Sequence, residues 1–132
     1  MDGVSDEDLR RIQTPSGVCL LGIVKHMTYV YRWWFAAVIG GQEHGFPWRT
    51  DDPDADWRIE PEETTGGIVS LFKAEVEQAY EIIEWVGLED LHDMGSAQVG
   101  VRWIMTHMIE EAAQHNGHAD ILRENIDGSV TS

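Results

Sequence analysis

Between His107 and His118 the chain sets four titratable side chains on one face of a helix, and this constrains the fold more than any other feature of its 132 residues. At 3.6 residues per turn, His107, Glu111, His115 and His118 share a sector with Ile104, Met108 and Leu122, the apolar positions that mark an inward face. An imidazole or carboxylate turned inward is costly unless a partner compensates it. A metal ion is the simplest compensation for several of them at once.

The rest of the chain supplies elements for that helix to pack on. Ser5-Asp-Glu-Asp-Leu-Arg-Arg11 has a capping serine, acids first and arginines last, the order the helix dipole favours, and Thr14-Pro-Ser-Gly17 ends it. From about Val18 to Ile39 the positions Leu20, Ile23, Met27, Val30, Trp34 and Val38 recur at helical spacing, and His26 sits inside that stripe. Gly40-Gly41 stops this helix. A long irregular segment from about Gly40 to Thr65 carries Trp48 and Trp57 and reads as a functional lid or wall. A second amphipathic helix follows from about Gly66 to Val86, then a connection through Met94-Gly95-Ser96. The last helix spans about Val99 to Ile126, with Gly128 as its stop. No segment alternates as a strand does, so the expected fold is all-α, a helical bundle formed by one domain over residues 1–132.

Composition narrows the partners. With 24 acidic against nine basic residues the formal charge is −15, which disfavours nucleic acid, whose affinity rests on cationic neutralisation, and equally disfavours anionic membranes. Cys19 is the single cysteine, so neither an intramolecular disulfide nor a thiolate cluster is available, and it reads as a small buried residue. The acidic start of the chain is unlike a signal peptide, and no apolar run approaches the roughly 18 to 20 residues of a membrane span. The expectation is a cytoplasmic protein acting on a small molecule.

His26 and the stripe on the last helix both lie on faces that must turn inward, so a bundle can bring them together. Glu111 and His115, four residues apart, can chelate one ion with His26, leaving positions open for water or substrate. Spacing does not choose this pair over His107 with Glu111 or Glu111 with His118. Taken singly, each His reads as a core or rim residue bonded to a neighbouring carboxylate; as a cluster they call for a common partner. Asp52-Pro-Asp-Ala-Asp56, with Glu63 at the twelfth position, has acids at calcium-loop spacing, but Trp57 stands where such a loop needs Gly, so it reads as an acidic loop. Trp33 and Trp34 read as packing residues that can also wall a pocket. Gly117, costly inside a helix, suggests a close helix crossing.

Several stretches carry a family resemblance. They are Pro15-Ser-Gly, Leu20-Leu-Gly-Ile-Val-Lys-His26, Phe46-Pro-Trp48, Asp52-Pro-Asp-Ala-Asp-Trp57, Arg102-Trp-Ile-Met-Thr-His-Met-Ile-Glu-Glu111 and His115-Asn-Gly-His-Ala-Asp-Ile-Leu-Arg-Glu124. Together they make the chain resemble the DinB/YfiT-like superfamily of metal-binding proteins, and more narrowly its actinobacterial mini-circle-protein-like branch. The resemblance implies an up-down-down-up four-helix bundle holding zinc or nickel. It implies His26, Glu111 and His115 as ligands, with His107 and His118 as pocket-lining catalytic candidates. It further implies thiol-cofactor chemistry of the mycothiol or bacillithiol type, an S-transferase or isomerase in which the metal holds a thiolate ready to attack an electrophile. A non-catalytic, stress-related metal-binding bundle and a metal-dependent hydrolase are the competing readings.

In one respect the chain departs from the superfamily pattern. The family carries a complete helix before the Gly-Val-Ser-Asp-Glu-Asp-Leu-Arg segment, and here only Met1 and Asp2 precede it. Three long helices leave an apolar face uncovered, so either the chain begins upstream or a partner covers the gap, and a homodimer is expected.

Overall fold

The structure, a computed structural model, describes residues 3–95 and 97–128; Met1, Asp2, Ser96 and residues 129–132 lie outside it. Helix α1 (Asp6–Arg10) begins at Ser5, whose hydroxyl accepts from the Asp8 amide at 3.1 Å, and it stays one short turn. Helix α2 (Leu20–Tyr31) continues without a break into a π-helical segment, Arg32–Ile39, that ends at Gly40. After the long connection comes α3 (Thr65–Ile83), capped by Thr64, and finally α4 (Val101–Asp127). Gly128 closes α4 at φ 74°, a left-handed conformation that glycine adopts without penalty, and its amide reaches back to the Glu124 carbonyl.

The all-α expectation holds with one small correction. Strands β1 (Leu91–Asp93) and β2 (Gln98–Gly100) pair antiparallel in register Leu91↔Gly100, His92↔Val99 and Asp93↔Gln98. Three residues are too few for alternation to show in a sequence, and the hairpin takes Val99 and Gly100 from the expected start of the last helix.

Two apolar clusters order the helices. One joins Leu20, Leu21 and Ile23 at the start of α2 to Ile68 at the start of α3 and Leu122 near the end of α4. The other joins Met27, Phe35 and Val38 to Ala79 late in α3 and to Val101, Ile104 and Met108 early in α4. Helices α2 and α3 therefore run the same way, and α4 runs against them. Parallel neighbours in a bundle need a crossover that spans the bundle's length, which is why the segment between Gly40 and Thr64 is long. A partly buried ion pair, Arg32 Nε to Glu75 Oε1 at 2.6 Å, ties the start of the π-helical segment to α3.

Along α2 and α4 the clusters leave one interval that neither fills, and it contains His26, Glu111 and His115. Between α3 and α4 an apolar groove opens over Tyr31, Phe35, Ala79, Met108 and Ala112, with Tyr80 and Ile109 exposed at its lips. The expected close crossing at Gly117 is not formed: a Cβ there would meet nothing within 4 Å, because α4 turns that residue outward.

Candidate metal centre

His26 projects from the middle of α2, and Glu111 and His115 from successive turns of α4. One ligand atom from each lies within 4.8 Å of the other two. The His26 and His115 rings meet edge to face at 4.8 Å between centroids. His115 Nε2 is 2.9 Å from Glu111 Oε2, while its Nδ1 is buried without a hydrogen-bond partner among the described residues. Nε2 is thus the nitrogen that His115 turns toward the group. Burial first, and then the neighbouring His26 ring, hold the His115 pKa below its ordinary value, against the opposing pull of Glu111. That favours the neutral imidazole, the form that ligates a metal.

The donor set fits a divalent ion. Ligand atoms about 2.1 Å from a tetrahedral ion stand roughly 3.4 Å apart, so modest side-chain rotation closes this group around one. Among the described residues no fourth His, Cys, Asp or Glu joins the three. His26, Glu111 and His115, the set implied by the resemblance, are brought together.

His107 and His118 take different places. His107 Nε2 approaches Glu111 Oε1 at 3.3 Å, and its ring stacks on Trp103 (4.9 Å, 8°) and meets Trp34 edge on. It therefore touches the outer oxygen of the carboxylate whose inner oxygen faces His115. His118, half-buried one turn beyond His115, makes no hydrogen bond or ion pair among the described residues and acts on His115 only through its charge.

The crossover supplies what helical spacing does not reveal. A single 3-10 turn, Ala55–Trp57, carries Asp56 to 2.7 Å from His26 Nδ1, and Asp56 is only 4% exposed. Trp57 lies flat on the His26 ring, with centroids 3.8 Å apart and planes 15° apart, and edge on to His115. The acids of this segment do not converge as a calcium loop would: Asp52 pairs with Arg58, Asp56 with His26 and Glu63 with Lys25. Nothing in the sequence links a loop aspartate to a helix histidine thirty residues away; a Trp adjoining an acid that proves buried is the only hint.

Above the group lies a pocket of about 210 Å³ lined by His26, Val30, Trp33, Trp34, Trp48, Asp56 and Glu111. Trp33 and Trp34 thus wall a pocket, and the π-helical segment presents both on one side of it. Trp48 joins them from the crossover, whereas Trp57 packs beneath, on the His26 ring. Cys19 is apart from this centre: it is 3% exposed, burial pushes its thiol pKa up, and its sulfur accepts from the Gly22 amide as the cap of α2.

No helix among the described residues is long and apolar enough to cross a membrane. Neither a curated protein nor a solved structure matches the chain. A family model does, that of the mycothiol-S-transferases, over residues 1–128. A helical bundle whose first and last long helices meet at two imidazoles and a carboxylate agrees with that match, and the chain belongs to the mycothiol-S-transferase family, within the DinB/YfiT-like superfamily.

Proposed function

We propose that this protein is a divalent-metal-dependent S-transferase that joins a mycothiol-type thiol to a small electrophile. The observation that carries the reading is the open group of His26, Glu111 and His115 at the floor of an aromatic-walled pocket, in a chain of this family. A bound divalent ion, zinc or nickel, supplies Lewis acidity that lowers the pKa of a thiol. His26 and His115 offer neutral nitrogens, and Glu111 offers the charge that offsets the cation. Trp33, Trp34 and Trp48 exclude water from the sulfur and orient the electrophile against it. The thiol proton passes to His107, a base outside the ligand set that touches Glu111 at 3.3 Å, and His118 tunes His115 from the far side. The sulfur then forms its bond to the electrophilic carbon, whose leaving group departs with the bonding pair, or whose π-electrons take up a proton if it is an acceptor of additions.

Elemental analysis of protein expressed with zinc and nickel supplied, followed by a screen of electrophiles with and without mycothiol, tests this. One equivalent of metal, lost in His26→Ala, and thiol-dependent turnover are expected. Only trace metal, or metal content unchanged in His26→Ala, overturns the ligand assignment. Turnover that needs no thiol moves the assignment to metal-dependent hydrolysis, and loaded protein without turnover moves it to a non-catalytic metal-binding bundle.

The same reading places the protein in the reducing cytoplasm, where its lone thiol and a thiol cofactor both persist. Its partners are small molecules and a second copy of the chain rather than nucleic acid, to which a charge of −15 is ill suited. The copy covers the groove between α3 and α4, where Tyr80 and Ile109 stand exposed beside apolar walls. Sedimentation at micromolar concentration is expected to give a dimer; a well-folded monomer overturns this part.

A further inference from the structure

We infer that Asp56 is the positioning residue of the metal centre: it fixes which nitrogen of His26 faces the ion, and the Ala55–Trp57 turn exists to hold it there. The inference rests on the metal-site reading above but concerns a residue outside the ligand set, on an element that contributes no ligand.

A histidine binds a metal through one nitrogen only, and the proton must then sit on the other. The Asp56 carboxylate, 2.7 Å from His26 Nδ1, can only accept, so it keeps the proton on Nδ1 and leaves the Nε2 lone pair for the ion. Trp57, stacked at 3.8 Å, blocks rotation of the ring out of that plane. One short turn thus sets both the tautomer and the orientation of the ligand from α2.

The turn is itself strapped to α2. Lys25 is buried, and its Nζ donates to the Arg58 carbonyl and to Glu63 Oε1, both at 2.7 Å, so the residue preceding His26 grips the segment that follows Trp57. Glu63 Oε1 also accepts from the Glu60 amide at 2.9 Å, which closes the loop on itself. One turn of helix earlier, Gly22 lacks the Cβ that would collide with the Trp57 carbonyl. A little more than one turn of α2 therefore meets the segment, at Gly22, Lys25 and His26. A lid that opened and closed over a pocket would not be anchored by a buried ammonium. The crossover from Ala55 to Glu63 is a fixed part of the centre, from which Asp56 lines the pocket, and the earlier portion of the crossover adds Trp48 to the pocket wall.

Zinc affinity, read by competition with a chromophoric chelator, tests this on the full chain. Asp56→Ala and Asp56→Asn are expected to weaken zinc about 10- to 100-fold, the usual effect of losing a partner of a ligating histidine. The Asn amide can donate to Nδ1 and so move the proton to Nε2. Asp56→Glu should recover part of the affinity, which a purely structural role would not give. Nitrogen NMR of the metal-free wild type supplies a readout independent of any variant's folding: His26 should carry its proton on Nδ1. Full zinc affinity in folded Asp56→Ala, or a proton on Nε2 of His26 in the wild type, overturns the inference while leaving the metal site intact. A wild type that takes up no zinc overturns the metal-site reading instead.

Discussion

The backbone carbonyl of Trp57 occupies the space where a side chain at residue 22 would begin: a Cβ built on Gly22 would stand 2.4 Å from that oxygen. The contact partner is backbone, with little freedom to yield. An exposed helical glycine usually gains stability of about 1 kcal/mol on replacement by alanine. At position 22 the sign should reverse. Gly22→Ala is expected to destabilise the protein by about 1 to 3 kcal/mol, as overpacking does, and to weaken zinc binding because Asp56 and Trp57 move with the displaced turn. Chemical denaturation paired with chelator competition checks both; a stabilised variant with full zinc affinity would show that the turn relaxes freely.

The Lys25–Glu63 pair makes a prediction about stability alone. Lys25 Nζ is 2.7 Å from Glu63 Oε1, and the ammonium is nearly inaccessible to water. Lys25→Met leaves the Glu63 carboxylate without its cation and the Arg58 carbonyl without the Lys25 donor, and a cost of about 3 kcal/mol is expected. The double variant Lys25→Met/Glu63→Gln should lose less than the sum of the two single losses, since no unpaired charge remains. Urea unfolding of the four proteins measures the coupling.

His115 makes the metal-free protein sensitive to acid. Its pKa is lowered in the folded state, chiefly by burial, so near and below its ordinary value of about 6.5 the unfolded chain binds a proton that the folded chain resists. The stability this neutral ring contributes is present above that value and is lost as pH falls through it. Unfolding free energy should therefore rise between about pH 5 and 7.5, and His115→Gln should flatten that rise. Equal slopes in both proteins would remove His115 as the cause. Zinc should shift the same transition, because the ion and the proton compete for the ring.

Trp48 belongs to the wall of the pocket and not to the candidate ligand group at its floor. It lines the cavity, stacks on Phe46 at 4.6 Å and meets Tyr29 edge on, with no ring contact to His26 or His115. Trp48→Ala should leave metal content at one equivalent and raise KM for the electrophile on the order of tenfold, through lost aromatic surface. A loss of metal in this variant would mean that the two layers are coupled.

His107 should behave unlike a ligand. Its 3.3 Å approach to Glu111 Oε1 orients the carboxylate, and in the proposed reaction it would be the base that takes the thiol proton. His107→Gln is expected to lower zinc affinity by less than His26→Ala does and to reduce kcat, read by chelator competition and steady-state kinetics. His118→Gln, which removes no hydrogen bond, should change neither by more than about twofold.

The sequence by itself determined the helices and the candidate ligands that helices carry. Helical periodicity marks α2, α3 and α4 whatever else the chain does, and an i, i+4 pair on one helix stays a pair in any packing of that helix. His26, Glu111 and His115 were legible for that reason, once the resemblance chose among equivalent spacings on α4. Tertiary structure decided what depends on the path between helices. The parallel course of α2 and α3 imposes a long crossover, and its short turn reaches His26 only because Gly22 and Lys25 let it lie against α2. Asp56 and Trp57 acquire their roles there, and Gly117, read as a crossing point, faces outward. A loop has no period, so its side chains meet their partners through the coordinates of two separate elements, and no local pattern of residues encodes that meeting.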